Sequence, residues 1–424
     1  MAKFKRYDSY KKSGVEWLGE IPSHWEILCG FRVFNENKRK NIGMLDNRVL
    51  SLSYGQIVRK SEEKLVGLVP ESFETYQIVK VGDIIVRCTD LQNDKVSLRI
   101  GLSKYDGIIT SAYLNLNIIN SNPKYLYYFL YTFDVTKAIY QLGSGLRQSL
   151  SYKDFKKLNV LLPPKDEQEK IASYLDEKIA KIDIAISGKE KFIELLKEQK
   201  QIIINDAVTK GLNKNAKFKS SGIEWLGQIP SHWKFEKSKW LFKQIKRPVR
   251  QTDEIVTCFR DGQVTLRANR RIDGFTNALK EYGYQGIRKG DLVIHNMDAF
   301  AGAIGISDSD GKATPVYSVC IPYNENIVFS GYYAKYLRNL AMKDFLLSLA
   351  KGIRERSTDF RFKDFGELEF PLPPKDEQEK IVEYIENKIS KIDKLLNLEQ
   401  ECIKSLKEYK ASLIDSVVTG KVKV

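Results

Sequence analysis

Four stretches of this chain set arginine, in three of them with glutamine, among glycines and small polar residues: SYGQIVRK from Ser53, GSGLRQS from Gly143, FRDGQVTLRANRR from Phe259 and GIRERSTDFR from Gly352. Arginine and glutamine can place two hydrogen bonds at once on the edge of a base, and lysine or arginine can neutralise a phosphate. The chemistry such stretches suit is the gripping and reading of a nucleic acid. The candidates in the first half are Gln56, Arg59, Lys60, Arg147 and Gln148, with Arg87 at the end of the apolar run GDIIVR. In the second half they are Arg260, Gln263, Arg267, Arg270, Arg271, Arg354, Arg356 and Arg361. The Gly-Gln pairs Gly55/Gln56 and Gly262/Gln263 mark the two loops as counterparts.

Other chemistries are poorly served. Five scattered cysteines include no CxxC pair, and His24 and His232 occupy one position in two copies of the same string, so neither a zinc site nor a disulfide framework is indicated. Gly188/Lys189 and Gly420/Lys421 lack the earlier glycine of a phosphate-binding loop. Glu198 and Lys200 form a nuclease-like ExK, but on a helix where that spacing is commonplace. No catalytic residue is expected.

What must position the candidates is a duplicated frame. LPPKDEQEKI occurs at Leu162–Ile171 and again, unchanged, at Leu372–Ile381, 210 residues later. SGVEWLGEIPSHW at Ser13–Trp25 returns 208 residues later as SGIEWLGQIPSHW at Ser221–Trp233, with two differences. A period near half of 424 residues is far beyond solenoid repeats, so each copy is a domain-sized module. Net charge follows the same division: residues 1–160 carry +8, 161–210 carry −1, 211–370 carry +8 and 371–424 carry 0. Two equal basic parcels separated by neutral ones suit a protein that holds a polyanion at two places. No apolar run approaches a membrane span and MAKFKRYDSYKKSG has no signal-peptide core, so a cytoplasmic location is expected.

The neutral parcels read as helices. From Leu175 a seam runs through Ile179, Ile182, Ile186, Lys189, Ile193, Leu196, Lys200, Ile203 and Ala207, in alternating steps of four and three. The second copy keeps it through Ile385, Ile389, Ile392, Leu396, Glu399, Ile403, Leu406, Lys410, Leu413 and Val417. The spacing predicts helices over 166–208 and 376–418, each about 63 Å long. Neither buries its seam alone, and the nearest partner is its duplicate. Chain order favours antiparallel pairing, since a parallel pair would need the second lobe to span the whole helix length. Lys189 and Glu399 are expected to meet and set the register. Within the lobes, GDIIVR and GDLVIH predict a Gly-Asp turn opening a strand. RIGLSKYDGIITSAYLNL and AIGISDSDGKATPVYSVC predict strand, turn, strand, and PKYLYYFLYTF and SGYYAKYLRNL short helices. Each lobe is thus α+β, with a shared frame and divergent contents.

Taken together, the [IV]EWLG.IPSHW and LPPKDEQEKI strings, the divergent basic lobes and the heptad helices resemble the specificity subunit of type I restriction-modification systems. The resemblance spans essentially the whole chain. It implies an α+β fold of two pseudo-twofold-related target-recognition domains, residues 1–160 and 211–370, joined by two long antiparallel helices within 161–210 and 371–424 that form a coiled coil. Each domain would read one half of a bipartite, asymmetric site in double-stranded DNA. The helices would set the spacing and dock two methyltransferase subunits, with restriction subunits joining outside. S-adenosylmethionine, ATP and magnesium would belong to those partners and no cofactor to this chain, whose only Pro-Pro pairs follow leucine rather than the Asn or Asp of a methylation motif. A ~63 Å spacer would place the heads no more than about 18 base pairs apart.

A different class fits the duplication equally: a non-catalytic symmetric adaptor whose lobes bind RNA or acidic proteins. The paired +8 parcels and arginine-rich loops favour duplex DNA.

Overall fold

The duplicated strings meet where each long helix begins. The computed structural model describes residues 5–61, 72–89, 91, 98–142, 149–223, 226–270, 282–349 and 360–424. The first long helix is Lys165–Lys210 and the second Lys375–Val418, each one residue or two longer than the seam predicts at one end or both. Asp166, Glu167, Asp376 and Glu377 lie in the first turns, where unpaired N–H groups favour negative charge. Glu167 accepts hydrogen bonds from His24 Nε2 at 2.7 Å and the Trp25 indole N–H at 2.9 Å. Glu377 does the same with His232 at 2.8 Å and Trp233 at 3.1 Å. Next to each glutamate a buried glutamine ties the helix to its lobe. Gln168 accepts from Asn122 N at 2.9 Å and donates to Pro163 O at 2.8 Å. Gln378 accepts from Phe329 N at 2.8 Å and donates to Ile327 O and Pro373 O, both at 2.9 Å. The identical residues of both strings are therefore two halves of one joint.

The chain divides into two units, residues 1–190 with 400–424, and residues 191–399. Each holds one lobe, the beginning of one long helix and the end of the other. In the first unit, Leu175, Ile179, Ile182 and Ile186 share a core with Leu413, Ile414, Val417 and Val418. In the second, Ala207 and Val208 share a core with Ile381, Val382 and Ile385. The start of each helix lies with the end of the other, so the pairing is antiparallel, as chain order requires. Two seam lysines, Lys200 and Lys410, cross to an aspartate on the opposite helix. Lys410 Nζ reaches the Asp183 carboxylate at 2.6 and 2.8 Å, and Lys200 Nζ reaches Asp393 at 2.7 and 3.0 Å. These half-exposed pairs contribute no more than about 1 kcal/mol each, but a displaced register would leave each lysine against apolar neighbours. The ExK lysine is thereby accounted for as a helix-pairing residue.

Each lobe clasps the end of the helix that arrives from elsewhere in the chain. Tyr125 donates its hydroxyl to Leu161 O at 2.9 Å and Val418 O at 3.4 Å, and Tyr332 donates to Val208 O at 2.8 Å. Tyr10 donates to Gly420 O at 3.0 Å, and Lys423 N donates to Lys5 O at 2.8 Å.

In the first lobe the strands Phe34–Glu36, Tyr113–Ile118, Ile84–Arg87 and Ile100–Leu102 form an antiparallel sheet in that order. Alternation along Ile84–Arg87 buries both faces. Ile84 and Val86 join Tyr125, Leu126 and Phe129 of the helix Pro123–Val135, whose start is capped by Asn122. Ile85 points the other way, into a small core with Leu50, Ile57, Val79 and Ile109. That second core carries the hairpin Leu50–Ser53/Gln56–Arg59. The second lobe repeats the scheme with Phe242–Gln244, Tyr317–Pro322, Leu292–His295 and Ile304–Ile306. Leu292 and Ile294 face Tyr332, Tyr333 and Tyr336 of the helix Ser330–Met342, while Val293 faces Val256, Cys258 and Val264 of the hairpin Val256–Cys258/Val264–Leu266. Gly82 and Gly290 take the same left-handed φ of 92° at the predicted Gly-Asp turns. One expectation needs correction. The segments read as strand, turn, strand hold three strands each, because Gly107–Ile109 and Gly311–Ala313 leave the sheet to pair with Gln77–Val79 and Gln285–Ile287.

Candidate nucleic-acid interface

The sheet and its second core present a hairpin on each lobe, and most described candidates stand on those hairpins. In the first lobe the turn is Tyr54-Gly55, after which Gln56 opens the returning strand and is exposed. Arg59 is exposed at the far end of that strand, its guanidinium 4.5 Å from the ring centroid of Tyr105, and exposed Lys60 follows, its backbone N bonded to Val49 O at 2.9 Å. Arg87 is half-buried at the end of the central strand, with its N bonded to Arg99 O at 2.8 Å. Gly55 is buried, and a Cβ there would lie 3.0 Å from Leu98 Cβ and 3.5 Å from Ile100 O. The hairpin tip and Arg87 therefore meet at residues 98–100. Arg147 and Gln148 lie outside the described residues.

In the second lobe the turn is longer, and its arginines are organised by acids. Arg260 pairs with Asp298 at 2.9 Å. Arg270 pairs with Asp261 at 2.5 Å, lies 4.3 Å from the Phe259 ring centroid and donates to exposed Gln263 Oε1 at 3.4 Å. Arg267 is half-buried and donates from Nε to Thr257 Oγ1 at 3.2 Å. Burial pushes the Asp261 carboxyl up, but the Arg270 hydrogen bond and charge outweigh it and hold the group below the ordinary carboxylate range. Gly262 corresponds to Gly55, since a Cβ on it would lie 3.1 Å from Ile304 O, the carbonyl matching Ile100 O. Arg361 is exposed at the start of the short helix Phe362–Gly366, its N bonded to Asp364 Oδ2 at 3.1 Å. The preceding Phe360 N bonds Asn296 O at 3.1 Å, next to the segment carrying Asp298. Arg271, Arg354 and Arg356 lie outside the described residues.

Sequence reasoning missed the residues that prop these loops. Arg99 is fully buried and donates to Thr89 O at 2.8 Å and Arg87 O at 3.4 Å, fixing the backbone beyond Arg87. Arg338, on the lobe helix, lies beneath the second turn, where a Cβ on Gly262 would come within 2.8 Å of its Cδ. Burial lowers the pKa of its guanidinium, and nearby Asp261 works in the opposite direction. Both arginines sit inside runs that read as strand or helix, so no local signal separates them from solvated charges. Asp183 and Asp393 had a signal, the shared 210-residue interval, but they lie one residue off the apolar seam.

Among the described residues no group of three His, Cys, Asp or Glu side chains is placed to hold a metal ion, and no helix is long and apolar enough to cross a membrane. The five cysteines are free thiols; burial pushes that of Cys88 up to about 12. His295, the third histidine, packs 4.7 Å from Tyr317 and accepts from Asp298 N at 3.1 Å.

Comparison with known proteins adds to this geometry. A family model described as "Type I restriction modification DNA specificity domain" matches residues 33–195. The chain is 23% identical over 457 residues to the putative type I restriction enzyme MjaX specificity subunit of Methanocaldococcus jannaschii, covering 100% of this chain and 99% of that protein. It is 26% identical over 263 residues to the type I restriction enzyme EcoBI specificity subunit of Escherichia coli, covering 55% of this chain and 52% of that one. Among solved structures, it resembles a chain from work on complex assembly and conformational transition of the type I R-M system, with a TM-score of 0.67, 14% identity and coverage of 94% and 98%. It also resembles the HsdS subunit from Thermoanaerobacter tengcongensis, with a TM-score of 0.50, 15% identity and coverage of 95% and 98%.

Proposed function

We infer that this chain is a specificity subunit of a type I restriction-modification system, the DNA-recognition component of such a complex, and catalyses nothing itself. In this reading residues 1–160 and 211–370 are target-recognition domains, each taking one half of a bipartite site in double-stranded DNA. The segments 161–210 and 371–424 hold the two at a set interval. Two methyltransferase subunits dock on the helices and restriction subunits join outside them. S-adenosylmethionine, ATP and magnesium enter with those partners, and the assembly works in the cytoplasm. The observation that carries the reading is one frame with two contents. The lobes repeat their strands and their joint to the helices, yet the hairpin turns differ, Tyr54-Gly55-Gln56 against Asp261-Gly262-Gln263. Two different heads on one frame suit two different half-sites, so the target is asymmetric.

Methylation-sensitive sequencing of host DNA with and without this gene tests it, and a two-part, non-palindromic methylated motif is the expected result. Arg267→Ala should then relax specificity or weaken binding about 5- to 150-fold at the second half-site alone, the loss of one bidentate contact. Equal loss at both halves would count against the assignment of that hairpin.

Lys189 and Glu399, the remaining polar seam positions, belong to the same proposal as a register-setting pair. Lys189→Glu should lower the thermal midpoint by placing two acids at the seam, and Glu399→Lys in the same chain should restore it. A single variant with an unchanged midpoint and a double variant that recovers nothing would sink the pairing.

A further inference from the structure

The first lobe places a large aromatic side chain at the tip of its hairpin at a cost to its own stability. The strands Leu50–Ser53 and Gln56–Arg59 pair through Ser53 opposite Gln56, leaving a loop of two residues, Tyr54 and Gly55. Both have positive φ, 47° and 75°, which is the turn that matches the twist of a two-residue hairpin and that favours asparagine, aspartate or glycine at its first position. A tyrosine there is strained, because its Cβ crowds the backbone in the left-handed region. The turn has no freedom to relax, since Gly55 is buried against Leu98 and the carbonyl of Ile100. Nor does packing compensate the strain, for Tyr54 is 92% exposed, the highest exposure among the large apolar side chains of the described residues.

The matching turn of the second lobe has no such residue. Aligning Gly262 with Gly55 puts Asp261 where Tyr54 stands; Asp261 has no positive φ and is paired with Arg270. The strain and the exposure thus belong to one head and not to the shared frame. Exposed Gln56 adjoins it at the turn, and exposed Arg59 and Lys60 stand at the far end of the same strand, in a parcel of charge +8. An exposed ring beside a base-reading amide, on a lobe of net positive charge, is the arrangement that takes the flat face of a base or the methyl group of thymine.

We propose that Tyr54 is a specificity-determining residue of the first lobe, packing its ring against a base of that lobe's half-site. The proposal rests on the DNA-reading role of the lobes. The occupant is a base in duplex DNA; a protein partner is the other outcome that the test separates.

The test uses the full chain assembled with its methyltransferase subunits, unsubstituted and as Tyr54→Gly, Tyr54→Asn and Tyr54→Phe. Glycine and asparagine both suit the turn, so these variants should fold with an unchanged or higher thermal midpoint. They should nevertheless bind the methylated-motif duplex about 5- to 150-fold more weakly, the range expected for one lost base–ring contact, and relax the motif in the first half-site only. Tyr54→Phe should keep both affinity and motif. The proposal is overturned if Tyr54→Gly and Tyr54→Asn retain full affinity and an unaltered motif. It is equally overturned if they lower the midpoint, or if their defect lies in assembly with the partner subunits. An unsubstituted complex that showed no sequence preference on duplex DNA would overturn the DNA-reading role itself, whereas a selective complex indifferent to Tyr54 would sink only this inference.

Discussion

Trp25→Ala is expected to destabilise the first unit by about 3–5 kcal/mol, and Trp233→Ala the second by as much. Each indole is fully buried. Each also touches both helix ends that its unit contains. Trp25 donates to Glu167 at the start of the first long helix, and a Cβ on Gly420, just beyond the second, would lie 3.1 Å from its ring. Trp233 donates to Glu377, and a Cβ on Gly211 would lie 3.2 Å from its ring. Truncation opens a cavity, removes one hydrogen bond from a helix-start glutamate and unseats the end of the other helix. Hydrogen exchange should locate the loss. Trp25→Ala should lower protection across residues 1–190 and 400–424 while 191–399 keep theirs, and Trp233→Ala should do the reverse. A loss below about 1 kcal/mol, the scale of a single hydrogen bond, would mean that the tryptophans are not the wedges described.

The second large effect concerns binding. Two lobes of +8 each should neutralise several phosphates at once. If six to ten are neutralised, affinity for duplex DNA should fall by about 10³ to 10⁵ between 50 and 200 mM salt, with a log–log slope of about −5 to −9. Fluorescence anisotropy on a random duplex measures this directly, and the same titration on RNA addresses the adaptor alternative. A slope near zero on duplex DNA, or a steep slope on RNA alone, would contradict the reading of the lobes as DNA grips.

The frame was legible in the sequence for identifiable reasons. The heptad seam is a period-3.5 signal that survives two polar interruptions, and Leu175, Ile179, Ile182 and Ile186 are buried as it requires. Antiparallel pairing followed from chain order without knowledge of any contact. The joint was visible only as identity: His24, Trp25, Glu167 and Gln168 recur as His232, Trp233, Glu377 and Gln378. Nothing local says that the histidine-tryptophan pair meets the glutamate, which lies 142 residues from Trp25. The candidate site was legible as segments and not as side chains. Composition marks Arg260 and Arg270 as cations, but it does not show that Asp298 and Asp261 hold them. Tyr54 escaped notice because a Tyr-Gly step becomes a strained turn only once strands of four residues on either side are known to end at Ser53 and begin again at Gln56.

The division of the chain into units has a consequence for its synthesis. Residues 191–399 are contiguous, so the second unit can close as soon as its last helix segment leaves the ribosome. The first unit must wait for residues 400–424. At 5–20 residues per second that wait lasts on the order of 10–40 s. Throughout it, Tyr125 and the apolar seam from Leu175 to Ile186 stand without Leu413, Ile414, Val417 and Val418. The lobe translated first is therefore the last to mature, and it spends that interval with an uncovered apolar face, open to chaperones and to the equivalent segment of a neighbouring chain on the same message.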